Sequence, residues 1–139
     1  MKIRQTELAG VLLIEPELVV GGIGEIAEDM RGFFVETYNE EKYRAAGITV
    51  KFVEDDMSVS KKDVLRGMHG DDRTRKLITC AHGTVFFVAV YGKEGSPDFG
   101  KWQSFELSEA NRRRILVPPY YASGYAVMSD KAIVHYKQS

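Results

Sequence analysis

Short apolar runs, most of them alternating with polar residues, succeed one another along the chain and are cut by Gly, Pro, Asp and Ser. A period of two marks strands that bury one face. Such runs fall at VLLIEPELVV (11–20), where Pro16 places a break or an edge, and at GFFVETY (32–38), VKFVEDDMSVS (50–60) and VLRGMHG (64–70). KLITCAHGTVFFVAVYG (76–92) reads as two strands broken at His82-Gly83, the position of a hairpin turn. KWQSFELS (101–108), the two halves of RILVPPYYASGYAVMS (114–129) on either side of a Pro-Pro corner, and AIVHYKQS (132–139) complete the strands. GGIGEIAEDMRG (21–32) reads as a loop ending in a turn, and KEGSPDFG (93–100) is dense in turn formers. Only NEEKYRAAGI (39–48) has helical signals: Asn39 can cap, Glu40 and Glu41 suit a first turn, and Gly47 can stop the helix. Many short strands and one short helix near 39–48 predict an all-β sandwich or barrel of jelly-roll type.

The length of 139 residues allows one domain with one core, so residues 1–139 are expected to form a single unit. A formal net charge of -1 gives no electrostatic case for nucleic acid or a membrane surface as partner. The basic runs Arg112-Arg113-Arg114 and Lys61-Lys62 are expected at solvated turns or strand ends. Cys80 stands alone in a strand-like run, so it is expected as a small buried residue without a disulfide. The chain opens MKIRQTELAG, without a signal-peptide core or an Arg-rich leader, and no apolar run reaches the ~20 residues of a membrane span. A reducing cytoplasm is the expected compartment.

Three histidines, His69, His82 and His135, are too few and too dispersed for a jelly-roll metal site, and no His-x-His occurs. His82 is expected in a surface turn. His135 and Tyr136 are adjacent, so in a strand they point to opposite faces and one of them can enter an interior pocket. His69 lies between Gly67 and Gly70, residues that let a ligand or another backbone approach closely. Alternation places it on one face with Gly67 and Leu65, and Arg66 and Met68 on the other. Such a lone strand histidine is more often a satisfied structural residue, and Lys76 more often a surface lysine at a strand start. Arg66 and Lys76 nevertheless put cations near an imidazole base, which suits a phosphorylated or carbonyl substrate. Phe86, Phe87, Tyr120, Tyr121 and Tyr125 either line a barrel mouth or belong to the core.

Taken together, DMRGFFVETY (29–38), FVEDDMSVS (52–60), VLRGMHG (64–70), KLITCAHGTVFFVAV (76–90), GSPDFGKWQSFELSEANRRRILVPP (95–119) and SGYAVMSDKAIVHYK (123–137) resemble the dTDP-4-dehydrorhamnose 3,5-epimerase family. The segments stand in the family's order and span nearly the whole chain. The resemblance implies a cupin-type jelly roll, no cofactor, and a homodimer that shares N-terminal strands. It also implies a nucleoside-diphosphate-linked 4-keto-6-deoxy sugar as substrate. His69 would be the base that takes the C3 or C5 proton, acidic because the C4 ketone accepts the charge as an enolate. Lys76 would stabilise that oxygen and Tyr136 would return a proton on the opposite face. Arg31 and Arg66 match positions that hold diphosphate and sugar, and Glu36 matches a nucleotide-side position. Asp56 and Ser123 are further substrate-binding candidates.

The resemblance is incomplete in three places. The family's Ala-His-Gly-Phe stands here as Ala122-Ser123-Gly124-Tyr125, so a pocket histidine is replaced by Ser123. The GDDRTR loop after His69 is short, and with the KQS ending it is closer to relatives acting on other 4-keto sugars, heptoses among them. Family members are expected to continue past this C-terminus, with a carboxylate there that pairs with the base histidine; Asp55, Asp56 and Asp71 are the candidates for that role in this chain. A sugar-nucleotide epimerase is expected, in surface-polysaccharide or deoxysugar biosynthesis. The alternatives are a 3,4-ketoisomerase, which shares the enolate, and a non-catalytic sugar-nucleotide-binding relative.

Overall fold

The computed structural model describes residues 1–17 and 26–139, with the backbone alone over 26–29. Its elements in chain order are β1 (Lys2–Gln5), β2 (Leu12–Glu15), β3 (Ile26–Asp29), β4 (Gly32–Val35), α1 (Glu40–Ala45), β5 (Glu54–Lys61), β6 (Leu65–His69), β7 (Lys76–His82), β8 (Thr84–Tyr91), β9 (Trp102–Ser108), β10 (Arg114–Val117), β11 (Tyr121–Val127) and β12 (Lys131–Gln138). The all-β expectation with one short helix therefore holds. Residues 18–20 of the first expected strand and 21–25 of the expected loop lie outside the described residues. Within that expected loop residues 26–29 form a strand, β3, which pairs with β4 as a separate ribbon, and the expected turn follows at 30–31.

Two antiparallel sheets carry the fold. One has the order β1-β2-β10-β7-β12-β5, the other β6-β11-β8-β9. They pack face to face because each strand lays alternate apolar residues inward. Ile78, Cys80, Val134 and Ile115 of the larger sheet meet Val85, Phe87, Ala89, Leu107 and Val127 of the smaller one in a single buried cluster. Cys80 is buried as expected, and burial pushes its thiol up to about 11.

The turn at His82-Gly83 is not a hairpin. β7 pairs with β10 and β12, whereas β8 pairs with β11 and β9, so the chain crosses there from one sheet to the other. Gly83 has φ 76°, and a Cβ on it would lie 2.1 Å from the Lys131 carbonyl oxygen, so the corner needs glycine. His82 sits at the corner, partly exposed, with Nδ1 2.8 Å from Glu109 Oε2.

The outer face of the larger sheet is closed by α1. Asn39 caps it, its side chain accepting from the Lys42 N–H at 3.1 Å. Tyr43 then buries against Ile14, Leu77 and Leu116. Arg114, expected at a solvated strand end, is instead one of the most buried residues, 2% exposed. It donates to the Tyr43 hydroxyl at 3.2 Å and to the Glu36 carbonyl at 2.6 Å. A buried guanidinium calls for hydrogen bonds, and the helix and its leading segment supply acceptors for the two terminal nitrogens, while Nε has no partner among the described residues. Among the described residues, no helix is long and apolar enough to cross a membrane.

Candidate active site

A cavity of about 530 Å³ opens between the two sheets, lined from the larger one by Asp56, Ser58, Lys76, Tyr136 and Gln138. The smaller sheet contributes Arg66, His69, Phe87, Ser123 and Tyr125. Register explains the first set. Tyr136 lies opposite Ile78 on one side and Asp56 on the other, and Lys76 lies opposite Gln138, so all of them share the inner face. His135 consequently points outward and lines a different hollow, with Thr37 and Thr79. Adjacency alone had left open which of the pair faces inward.

Strict alternation fails on β6. Arg66 pairs with Tyr125 and His69 pairs with Ser123, so three steps along β6 answer two steps along β11. The extra residue is a β-bulge, and it brings Arg66 and His69 to the same cavity face instead of opposite ones. The glycines around His69 serve this pairing. A Cβ on Gly67 would lie 2.5 Å from Gly124 Cα, and one on Gly70 would lie 2.2 Å from the Tyr121 carbonyl oxygen. The close approach is therefore strand to strand.

A line of hydroxyls runs across the floor of the cavity. Arg66 Nε donates to Ser60 Oγ at 2.8 Å. Ser60 Oγ is 3.4 Å and Ser58 Oγ 2.8 Å from the Tyr125 hydroxyl, and Ser58 Oγ is 3.4 Å from the Tyr136 hydroxyl. Burial pushes the Tyr136 phenol well above its ordinary value. The Ser58 hydrogen bond and the Arg66 charge pull it down, while Tyr125 pushes it further up. A phenol in that state keeps its proton at neutral pH and can act as an acid.

The aspartates have other work. Asp71 accepts from the backbone N–H groups of Arg73 and Thr74 at 2.7 and 2.6 Å, and these bonds hold its carboxyl below the usual range. Asp55 pairs with Lys137, and Asp56 accepts from Gln138 at 2.6 Å. Gln138 also donates to Glu54, whose carboxyl is raised by its hydrogen bond to Asp56. Among the described residues, none of the three aspartates bonds to the His69 ring. Glu36 is outside this lining and accepts instead from Lys42 Nζ at 2.7 Å and Asn39 at 3.2 Å. Arg31 likewise is not among the described lining residues.

The chain as a whole is similar to known proteins. A family model described as dTDP-4-dehydrorhamnose 3,5-epimerase matches residues 5–139. The chain belongs to the dTDP-4-dehydrorhamnose 3,5-epimerase family. A curated member from Methanothermobacter thermautotrophicus is 38% identical over 135 residues, which cover 96% of this chain and 69% of that protein. The crystal structure of an epimerase of this family from Legionella pneumophila, in complex with dTDP-4-keto-L-rhamnose, superposes with a TM-score of 0.87 at 38% identity, covering 99% of this chain and 70% of that one. A Bacillus anthracis dTDP-4-dehydrorhamnose 3,5-epimerase with TDP and PPi bound gives a TM-score of 0.86 at 33% identity, covering 99% and 76%. The cupin-type jelly roll expected for the family is thus the fold of this chain. Two features of the site had no signal in the pattern of apolar and polar positions: the bulge that turns Arg66 inward, and the hydroxyl chain from Arg66 to Tyr136. MSVS and SGY carried the residues, but only register brings them together.

Proposed function

We propose that this chain epimerises a nucleoside-diphosphate 4-keto-6-deoxy sugar at C3, C5 or both, without a cofactor, in deoxysugar biosynthesis. The observation that carries the proposal is one cavity holding an imidazole, an ammonium and a half-buried protonated phenol, in a chain of this epimerase family. His69 takes the proton beside the ketone and the electron pair moves onto the C4 oxygen. Lys76 stands ready for that oxygen; among the described residues it makes no ion pair that would neutralise it. Tyr136 reaches the cavity from the opposing sheet and delivers its proton to the other face of the carbon, which inverts it. Arg66 is held through Nε by Ser60, which leaves its terminal nitrogens for a phosphate or sugar oxygen. Ser123 and Asp56 are the sugar-side contacts, and Arg31 and Glu36 belong to the nucleotide side of the same reading. The catalytic unit is one domain over residues 1–139, working as a homodimer.

A non-catalytic sugar-nucleotide binder is the second reading. It is favoured by the His69 ring, which no carboxylate among the described residues orients. Proton NMR of a dTDP-linked 4-keto-6-deoxyhexose incubated with the protein in deuterium oxide separates the two. Deuterium entering C3 or C5, and absent with His69→Ala, supports the epimerase and names the carbon. Saturable binding of the sugar nucleotide with no deuterium entry supports the binder.

A further inference from the structure

Tyr125 ends the run Ala122-Ser123-Gly124-Tyr125 and brings a hydroxyl to the cavity lining. This hydroxyl is not stray. Tyr125 is buried, 4% exposed, and its oxygen lies 2.8 Å from Ser58 Oγ, which in turn is 3.4 Å from the Tyr136 hydroxyl. Ser60, which accepts from Arg66, touches the same Tyr125 oxygen at 3.4 Å. The three elements involved are fixed by sheet pairing: Ser58 and Tyr136 lie on the neighbouring strands β5 and β12, and Tyr125 faces them from β11 across the sandwich. A buried hydroxyl set between two others in this way has a defined orientation, because each oxygen must find a partner.

Resting on the epimerase reading above, we propose that Tyr125 is a positioning residue for the Tyr136 acid, acting through Ser58. When Tyr136 gives its O–H proton to the enolate carbon, the C–H bond forms and a half-buried phenolate is left. Ser58 then turns its O–H toward that oxygen, and Tyr125 turns its own toward Ser58. No proton leaves the chain in this step; two hydrogen bonds reorient to meet the new charge. Arg66 donates to Ser60, so Ser60 keeps its own O–H to give to Tyr125, which sets the line in the same direction. The device acts on proton return and leaves proton removal by His69 alone.

Those two half-reactions can be read apart in deuterium oxide. Return of a deuteron by the base face gives exchange with retention, whereas return by Tyr136 gives inversion. Tyr125→Phe removes one oxygen and keeps the ring, so the variant keeps its packing; a urea midpoint records that. The ratio of inversion to exchange is expected to fall about tenfold in Tyr125→Phe and in Ser58→Ala, the effect of losing one good hydrogen bond, with KM for the sugar nucleotide unchanged. The double variant should be no worse than Ser58→Ala alone, because both hydroxyls act along one path. A wild-type ratio in Tyr125→Phe, or losses that multiply in the double variant, overturns this inference alone. Absence of any deuterium entry with the unsubstituted protein overturns the epimerase reading and the inference with it.

Discussion

At the scale of single residues, the site is decided by burial. The Tyr136 phenol is pushed up by desolvation, so its protonated form persists beyond the ordinary phenol range. The sign follows: raising the pH toward 10 does not remove the acid, and an alkaline loss of activity below that point must come from another group. Tyr136→Phe should therefore lower the inversion rate by about 10²- to 10⁴-fold at neutral pH, the usual worth of a general acid, measured by coupled assay or NMR. Cys80 gives a second test. Its thiol is raised from 9.0 to about 11 by burial. The unfolded chain loses that proton first, so the contribution is whole below pH 9 and is lost as pH rises through about 11. Urea titrations should show stability falling over that window by at most about 1.4 kcal/mol per pH unit from this thiol. Iodoacetamide at pH 8 should leave the folded protein unmodified.

At the scale of elements, the strands and the helix were legible because a period of two and a capped helical segment are local signals. Asn39 caps α1 as expected, and Asn39→Ala should cost about 1 kcal/mol in a thermal or urea melt. What was not legible depended on pairing between segments distant in sequence. His82-Gly83 has the composition of a hairpin turn, but partner choice sends β7 and β8 into different sheets. Arg114 carries a charge that by composition belongs in water, and only the docking of α1 gives it buried acceptors. β1 is too short and too polar to stand out, and it forms by pairing with β2. The β6–β11 bulge is the clearest case, since a single extra residue reverses the face of Arg66. Gly70→Ala tests how tight that pairing is. The new methyl would meet the Tyr121 carbonyl oxygen at 2.2 Å, and backbone cannot move aside as a side chain can. A loss of about 1–3 kcal/mol is expected, with activity falling because His69 adjoins the displaced segment. An unchanged urea midpoint would show that β6 and β11 have more freedom than this register implies.

At the scale of the whole molecule, the sandwich has one flank that water suits poorly. β5 ends the larger sheet and β6 ends the smaller one, and three residues join them. Along this flank Met57, Val59, Leu65 and Met68 are all exposed, Leu65 by 72%. Edge strands in soluble proteins are usually defended by charge, and the start of β5 is, with Glu54, Asp55 and Asp56 in succession. The apolar half that follows lacks that defence, and large contiguous apolar patches mark surfaces that another chain covers. A second copy is the occupant that the homodimer reading requires, and it has a structural consequence for catalysis: this flank borders the cavity, to which Leu65 itself contributes. Association would dry the mouth of the site and strengthen the Lys76–enolate interaction. Light scattering at about ten micromolar should give twice the chain mass. Val59→Glu puts a carboxylate on the patch at a residue outside the cavity lining. That variant should remain folded, run at the mass of one chain, and lose activity in proportion to the dimer lost. A monomeric unsubstituted protein with full activity would separate the chemistry of the cavity from assembly altogether.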